Sequence, residues 1–247
     1  MIYEIAGLRI KIENSFEFTD KFCKSYLSAD QYSPYDICAT TNAEEILQEK
    51  TLSPGFSDGY IENICLYRSI CLQLPKFDRF LLHACVLECG EEGYAFLGRS
   101  GAGKSTHSSL WLQYVKDCKI INGDKPILHF DGEKIVAYGT PWQGKEGRGC
   151  NEKVILKGLC FIEQAKENKI SKLSLSQTTG RIFSQLLLPS DEYNAAKALE
   201  LTDALITSVP AYVLECDISM LAVQTSFEAM TGKVFEFYKK ENNHYEN

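Results

Sequence analysis

The stretch 81-LLHACVLECGEEGYAFLGRSGAGKST-106 decides the fold of this 247-residue chain. Its first part, residues 81–89, is apolar and predicts a β-strand, and Gly90–Gly93 supplies a tight turn. Tyr94–Leu97 predicts a second strand, which completes a hairpin. A glycine-rich segment follows directly, and the apolar spacing after residue 106 predicts an amphipathic helix. The sequence therefore places a glycine-rich loop between an antiparallel strand and the start of a helix.

The loop itself matches the phosphate-binding pattern GxxxxGK[ST]. Its glycines let successive backbone N–H groups converge on phosphate oxygens, and the helix that follows adds the positive end of its dipole. Lys104 is expected to reach the β- and γ-phosphates, and Ser105 to bind Mg²⁺ through its hydroxyl. The pattern predicts a nucleoside triphosphate, with ATP and Mg²⁺ as the expected cofactors. The predicted nucleotide-binding residues are Gly98, Arg99, Ser100, Gly101, Ala102, Gly103, Lys104, Ser105 and Thr106.

Asp124 is the second candidate, because it ends an apolar strand about twenty residues after Lys104. In P-loop proteins an acidic residue at such a strand end holds Mg²⁺, directly or through water. Ser105 and Asp124 are therefore the predicted metal ligands. Gly-Asp after a strand is also a common turn, so a purely structural role for Asp124 stays open. A histidine on an apolar strand, as at His83, is usually a core residue, and His107 is expected on the surface of the helix.

The loop 139-GTPWQGKEGRGCN-151 contains four glycines and three charged residues. The glycines permit movement, so this loop is the best candidate to close over the group that receives the phosphate. Lys145 and Arg148 could contact phosphate or an anionic substrate, and Glu146 could assist the metal. The alternative for each of the three is a solvated side chain on a charged loop.

The whole chain predicts an α/β protein with a mixed sheet. Strand-like alternation over residues 2–12 and 60–74 predicts a small β-rich N-terminal region, residues 1–78. Residues 79–240 are expected to form the P-loop kinase domain, and residues 241–247 a polar tail.

Composition restricts the partners. The net charge of −7 argues against binding to nucleic acid or to an anionic membrane. No stretch approaches the roughly 18 apolar residues of a membrane helix, and no signal peptide is apparent, so a cytoplasmic location is expected. The ten cysteines form no CxxC pair and are expected to stay reduced. Homo-oligomerisation stays open.

Residues 81–106 resemble the C-terminal kinase domain of the HPr kinase/phosphorylase family, which shares its fold with ATP-type phosphoenolpyruvate carboxykinases. Members show a strand that bears a histidine, a turn, a second strand and then GxSGxGKS, and the spacing from His83 to Gly98 looks the same. The segment IINGD, which ends at Asp124, resembles the family strand that ends in two aspartates. YGTPWQGKEG is similar to a segment of smaller HPr-kinase-like proteins. The likeness covers roughly residues 80–160.

The resemblance implies three catalytic residues. Asp124 would act as base toward the acceptor hydroxyl, His83 would orient it, and Lys104 would hold the phosphates. Two departures concern the same site: Lys125 stands in place of the second aspartate, and Thr106 in place of the glutamate that follows GKS in the family.

Taken together, these observations predict a kinase that transfers the γ-phosphoryl group of ATP to a hydroxyl of a small molecule or of a serine in a peptide or protein. One alternative is a P-loop NTPase or nucleotide-dependent binding module that has no phosphoryl acceptor. The other is an HPr-type protein serine kinase/phosphorylase.

Overall fold

A computed structural model describes residues 1–241 of the chain, so the predicted polar tail lies outside the described residues from position 242 onward. The described part is a mixed α/β structure with a nine-stranded and a three-stranded sheet. The strands are β1 (Ile2–Ile5), β2 (Leu8–Ile12), β3 (Ile37–Ala39), β4 (Arg79–Leu81), β5 (Cys85–Cys89), β6 (Glu92–Leu97), β7 (Cys118–Asn122), β8 (Ile127–Phe130), β9 (Ile135–Tyr138), β10 (Lys153–Gln164), β11 (Lys169–Lys172) and β12 (Ala211–Cys216). The helices are α1 (Glu17–Phe22), α2 (Ala43–Leu52), α3 (Asp58–Gln73), α4 (Lys104–Tyr114), α5 (Leu175–Ile182), α6 (Glu192–Ser208), α7 (Met220–Thr231) and α8 (Phe235–Tyr238).

The N-terminal region corrects one prediction. Residues 60–74 were expected to be a strand, but they lie almost entirely in α3. Ser57 caps this helix by accepting a hydrogen bond from the backbone N–H of Tyr60. The helix is buried on more than one side, so apolar residues occur at strand-like as well as helical spacing, and the periodicity misleads. The region therefore combines the small sheet β1–β3 with three helices and is not β-rich.

The large sheet has the strand order β4-β8-β9-β10-β6-β5-β7, and β12 and β11 continue beside the second half of β10. Strand β6 runs parallel to β10, which runs parallel to β12. Strand β5 is antiparallel to both β6 and β7. As a result, one end of the sheet brings together the C-terminal ends of β6, β7, β10 and β12 and the N-terminal end of β5.

Helices cover both faces of this sheet. Alternate residues of β6 and β10 belong to different hydrophobic clusters, because successive side chains of a strand point to opposite faces. One cluster contains Leu201 and Leu205 of α6, and the other contains Trp111 of α4 and Phe227 of α7. Burial on both faces makes β6 a fixed platform for the loop that follows it.

The β5–β6 hairpin, the helix after the glycine-rich loop and the strands on either side of residues 139–151 are confirmed. The turn between β5 and β6 is tight, since Gly90 and Glu91 both have positive φ, at 57° and 68°. The core around the small sheet also includes Leu81, Ile127 and Trp142 from the second part of the chain. The boundary near residue 78 stays a prediction. Across residues 1–241, no helix combines the length and apolarity that a bilayer crossing requires.

Candidate functional site

The glycine-rich loop connects β6 to α4 in a tightly wound conformation. Gly98, Gly101 and Gly103 have φ angles of 142°, 79° and 106°, which favour glycine. The N–H of Ala102 donates to the carbonyl of Arg99 at 3.0 Å, which closes a turn inside the loop. The helix begins immediately afterwards, so its first N–H groups, which lack partners within the helix, are directed at the loop. This backbone is suited to an anion.

Lys104 lies inside the loop, with 8% of its surface exposed. Its Nζ donates to the carbonyl of Gly98 at 2.8 Å, so the ammonium is held within the curve of the backbone. Burial lowers the pKa of Lys104 from its ordinary value, and the negative charge of Asp124 opposes that shift. The two charges are therefore close enough to influence each other.

His83 and Asp124 form a pair, with 3.1 Å between Nε2 and Oδ1. His83 precedes β5 and Asp124 follows β7, and these strands are neighbours in the sheet. The N–H of Ala84 donates to the carbonyl of Asp124 at 3.0 Å. Asn122 fixes the turn, since its Oδ1 accepts from the N–H groups of Asp124 and Lys125 at 2.9 and 2.6 Å. The predicted proximity of the two side chains is thus present.

Opposing effects act on the Asp124 carboxyl. Burial alone would raise its pKa, but the hydrogen bond from His83 and the charges of Lys125 and Lys104 hold the pKa below its usual value. The group is therefore a carboxylate at neutral pH, and it is partly exposed.

Lys125, which follows Asp124 in the chain, approaches the same carboxylate. Its Nζ lies 3.8 Å from Oδ2 of Asp124 and 5.7 Å from the ring centroid of Tyr67 in α3. A cation here adds positive charge on the side of Asp124 away from His83. The N-terminal region therefore contacts the site through α3, which the sequence did not predict.

Gln185 is a further residue that sequence reasoning missed. It is buried, and its backbone carbonyl accepts from the N–H of His83 at 2.8 Å. With its side-chain amide oriented by the surrounding hydrogen bonds, the nitrogen faces the carbonyls of Gly98 and His83, each at 3.2 Å. Gln185 thereby links the glycine-rich loop to the His83 backbone. No motif marks it, because it lies in a short 3-10 turn far along the chain.

The loop over residues 139–151 packs against the turn that bears Asp124. The N–H of Gly123 donates to the carbonyl of Arg148 at 2.9 Å, and Asn122 Nδ2 donates to Oγ1 of Thr140 at 2.9 Å. A Cβ placed on Gly144, whose φ is 77°, would lie 2.9 Å from Cβ of Asp124. Glycine is needed at this position both for its backbone conformation and for space.

The N-terminal region holds the other side of this loop. The indole N–H of Trp142 donates to Oδ1 of Asn63 in α3 at 3.0 Å, and the Trp142 and Tyr67 rings are 4.6 Å apart. The hydroxyl of Tyr26 donates to the carbonyl of Cys150 at 3.1 Å. The N-terminal region thus anchors the segment near both ends, which leaves residues 143–149 as its middle section.

The three predicted substrate residues lie in that middle section. Arg148 Nη1 donates to Oγ of Ser109 in α4 at 2.7 Å, and its Nε lies 3.3 Å from Oε2 of Glu146. Ser109 in turn donates to the carbonyl of Ser105 at 2.7 Å, so Arg148 is linked to the first turn of α4. Lys145 is exposed. Their roles toward a substrate stay predictions.

His107 corrects another expectation, because it is buried and does not lie on the helix surface. Its Nε2 lies 2.9 Å from Oγ of Ser226 in α7, and the indole N–H of Trp111 points at both groups. Burial lowers the pKa of His107 to about 4. Helical spacing is consistent with this burial, since His107 lies four residues before Trp111 and therefore on the same face of α4.

The residues present fit a magnesium-bound triphosphate. The loop has convergent amides and a buried ammonium, and the Ser105 hydroxyl and Asp124 carboxylate are the oxygen donors that Mg²⁺ prefers. Within residues 1–241 there is no group of three or more His, Cys, Asp or Glu side chains that could hold a metal. Two protein ligands are enough for Mg²⁺ when nucleotide oxygens and water supply the others.

Comparisons with known proteins give a distant fold likeness. No family model and no curated protein matches the sequence. Among the solved structures that resemble the chain is the Hpr(Ser) kinase/phosphatase from Coxiella burnetii, at 10% sequence identity and a TM-score of 0.33. The match covers 62% of this chain and 93% of that one. A likeness this distant assigns neither an activity nor a substrate.

Proposed function

We propose that this protein is a Mg²⁺-dependent phosphotransferase that moves the γ-phosphoryl group of ATP to a hydroxyl of a small molecule or a serine side chain. The proposal rests on the contact between His83 and Asp124, in which Nε2 lies 3.1 Å from Oδ1. The charge of the buried Lys104 ammonium helps to lower the pKa of the same carboxylate. A phosphate-binding loop alone would support only nucleotide binding. The Asp124 carboxylate adds a proton acceptor at the same end of the sheet as the loop.

Binding would begin at the loop. The amides of residues 98–106 would contact the β- and γ-phosphates, and Lys104 would exchange its bond with the Gly98 carbonyl for bonds to phosphate oxygens. Ser105 and Asp124 would hold Mg²⁺, which neutralises charge on the phosphates when bound. The charge on the transferring group would thus meet fixed positive groups in a partly buried site.

Asp124 would receive the acceptor hydroxyl on the side facing the γ-phosphate. Its lowered pKa keeps it ionised at neutral pH, so it can accept a hydrogen bond from the hydroxyl and take the proton as the new P–O bond forms. The loose transition state of phosphoryl transfer does not require a strong base. His83 would hold the carboxylate in position, and Lys125 would add a cation for phosphate or acceptor.

The loop over residues 139–151 would form the outer wall of the acceptor site. Gly144 contacts Asp124, and Arg148 is bonded to α4, so the loop lies against both ends of the reaction path. The exposed Lys145 and the ion pair of Glu146 with Arg148 provide polar groups for an acceptor.

The test is a screen of hydroxyl metabolites and serine peptides with γ-labelled ATP and Mg²⁺. We expect at least one acceptor to take up label and to raise ADP release, with both signals absent from Lys104→Ala. ADP release that is equal with and without every acceptor would favour an NTPase. Label transfer to HPr would instead favour the protein serine kinase of the second alternative.

A further inference from the structure

A cavity adjoins the glycine-rich loop on the side away from Asp124. Its volume is about 470 Å³, within the range of small-molecule sites. It lies between the first turns of α4 and the connection from β12 to α7. The lining residues that matter for the argument are Gly101, His107, Leu110, Gln164, Asp217 and Ile218.

The sheet order decides which part of a nucleotide would reach this cavity. His83 and Asp124 lie beside β5 and β7, on one side of β6, whereas β10 and β12 lie on the other side. If the γ-phosphate points toward Asp124, the nucleoside must leave the loop toward β10 and β12. The 470 Å³ cavity begins at Gly101–Gly103 and extends in that direction.

A larger cleft of about 710 Å³ also lies beside the loop. The chemistry of the lining side chains must therefore decide which of the two cavities suits a nucleobase. Charged and polar side chains, including Arg99, Glu163 and Arg181, line the larger cleft, and Glu163 is paired with Arg181. A nucleobase presents flat apolar faces, which are best buried against apolar side chains. Leu110 of α4 and Ile218, in the connection from β12 to α7, supply such surface in the smaller cavity.

The wall that bears Ile218 is held in place although Ile218 is itself 77% exposed. Oδ1 of Asp217 accepts from Asn168 Nδ2 at 2.9 Å and from the Ser219 hydroxyl, and the Asp217 N–H donates to Asn168 at 3.1 Å. Gln164 donates to the carbonyl of Gly101 at 2.9 Å, which fixes the loop side. A preorganised cavity loses little conformational entropy when a ligand enters.

His107 also lines this cavity, and its ring is held by the contact of Nε2 with Oγ of Ser226 at 2.9 Å. This part of the lining is therefore in place before a ligand enters.

We propose that this cavity binds the base of the donor nucleotide, with the base lying between Leu110 and Ile218. The inference rests on the proposed function, since it takes the loop to hold the phosphates. It deepens that function by naming the residues that would distinguish a nucleotide from inorganic polyphosphate.

The experiment measures affinity for Mg·ATP and for Mg·tripolyphosphate by isothermal titration calorimetry. Ile218→Ala is expected to weaken ATP binding about tenfold, because it removes apolar contact with the base, and to leave tripolyphosphate binding unchanged. Leu221→Ala is the matched control, since Leu221 is also exposed nearby but lies outside the cavity. Unfolding transitions of both variants check that the fold is kept.

Two results would overturn the inference. One is equal affinity of the wild-type protein for ATP and tripolyphosphate, and the other is an Ile218→Ala variant that binds ATP as the wild type does or loses both ligands equally. Lys104→Ala separates these results from a failure of the proposed function. That variant should lose both ligands, and binding of both at wild-type affinity would contradict the role of the loop itself.

Discussion

The proposed phosphate loop (residues 98–103, with the first turn of α4) and the proposed acceptor loop (residues 139–151) both lie near Asp124, yet they are built in different ways. Residues 98–103 connect β6 directly to α4, and Lys104 bonds the carbonyl of Gly98, six residues earlier. Residues 139–151 depend on groups far away in sequence, such as Tyr26, which bonds the carbonyl of Cys150 across 124 positions. The conformation of the first loop is therefore fixed by local contacts, whereas that of the second depends on distant parts of the fold.

Because different contacts hold the two loops, mutations in them should have different effects. Changes in the phosphate loop should remove nucleotide affinity. Changes in the acceptor loop or in its N-terminal supports should reduce transfer while nucleotide affinity stays.

Replacing Lys104 with alanine should have the largest effect. It removes the buried ammonium beside the phosphates, so transfer should fall by about a thousandfold, or about 4 kcal/mol of transition-state stabilisation. Affinity for Mg·ATP should fall as well. Labelled-ATP assays and calorimetry measure the two losses. Lys116→Ala removes an exposed lysine just beyond α4 and should behave as the wild type, so equal effects of both changes would contradict the prediction.

Trp142→Ala tests the other region. Trp142 is buried between the acceptor loop and α3, so its truncation should lower the free energy of unfolding by about 3 kcal/mol. Transfer should fall and affinity for Mg·ATP should stay within a few-fold when both are measured below the unfolding transition.

The matched variant is Trp142→Phe, which keeps an aromatic ring against Tyr67 but loses the bond to Asn63. We expect it to cost about 1 kcal/mol in chemical denaturation. If Trp142→Ala weakens ATP binding as strongly as transfer, the two regions are not separable in the way proposed.

His107 should make stability depend on pH. Its pKa is lowered from 6.5 to about 4 in the folded protein, so between these values the unfolded chain binds a proton that the folded chain does not. The free energy of unfolding should therefore decrease as pH falls from 6.5, by about 1.4 kcal/mol per unit, or about 2 kcal/mol at pH 5. His107→Gln should lose this part of the slope in urea titrations at several pH values. Parallel slopes for the two proteins would disprove the effect.

Gly144→Ala should have a smaller and more specific effect. The new Cβ would meet Cβ of Asp124 at 2.9 Å and would push the acceptor loop away, so transfer should fall about tenfold with little change in ATP affinity. Gly147→Ala is a close control, since its φ of 59° is equally left-handed but a Cβ there meets nothing within 4 Å. Steady-state kinetics of both variants isolate the contact, and equal losses would assign the effect to backbone strain alone.

The sequence predicted the elements around the glycine-rich loop well, for a physical reason. The motif, the hairpin before it and the helix after it are consecutive, so their signals are local, and the sheet then brings His83 to Asp124 as expected. For residues 139–151, the sequence predicted a loop but none of the contacts that hold it. Trp142, Tyr26 and Gln185 meet the site through tertiary contacts that no motif or periodicity encodes.

The N-terminal region was mispredicted for a related reason. Helix α3 is buried on several sides, so its apolar pattern does not show a single helical stripe, and alternation favoured a strand. His107 was misplaced for a different reason, because its position four residues before Trp111 favours the buried face whereas its polar ring favours exposure. The group that accommodates the buried ring is Ser226 in α7, 119 residues away, which no local pattern indicates.

The central claim is that Asp124 accepts the proton of an acceptor at the end of a nucleotide held by the loop. Asp124→Asn tests it most directly, because the amide is nearly the same size but cannot accept that proton. The measurement pairs calorimetric titration of Mg·ATP with single-turnover transfer from γ-labelled ATP to an acceptor identified with the wild type. We predict Mg·ATP affinity within a few-fold of wild type, because the amide oxygen of the variant can still bind Mg²⁺ and the loop still holds the phosphates, and transfer reduced at least about a hundredfold. Undiminished transfer by Asp124→Asn, or no affinity of the wild type for any Mg·nucleotide, would contradict the account.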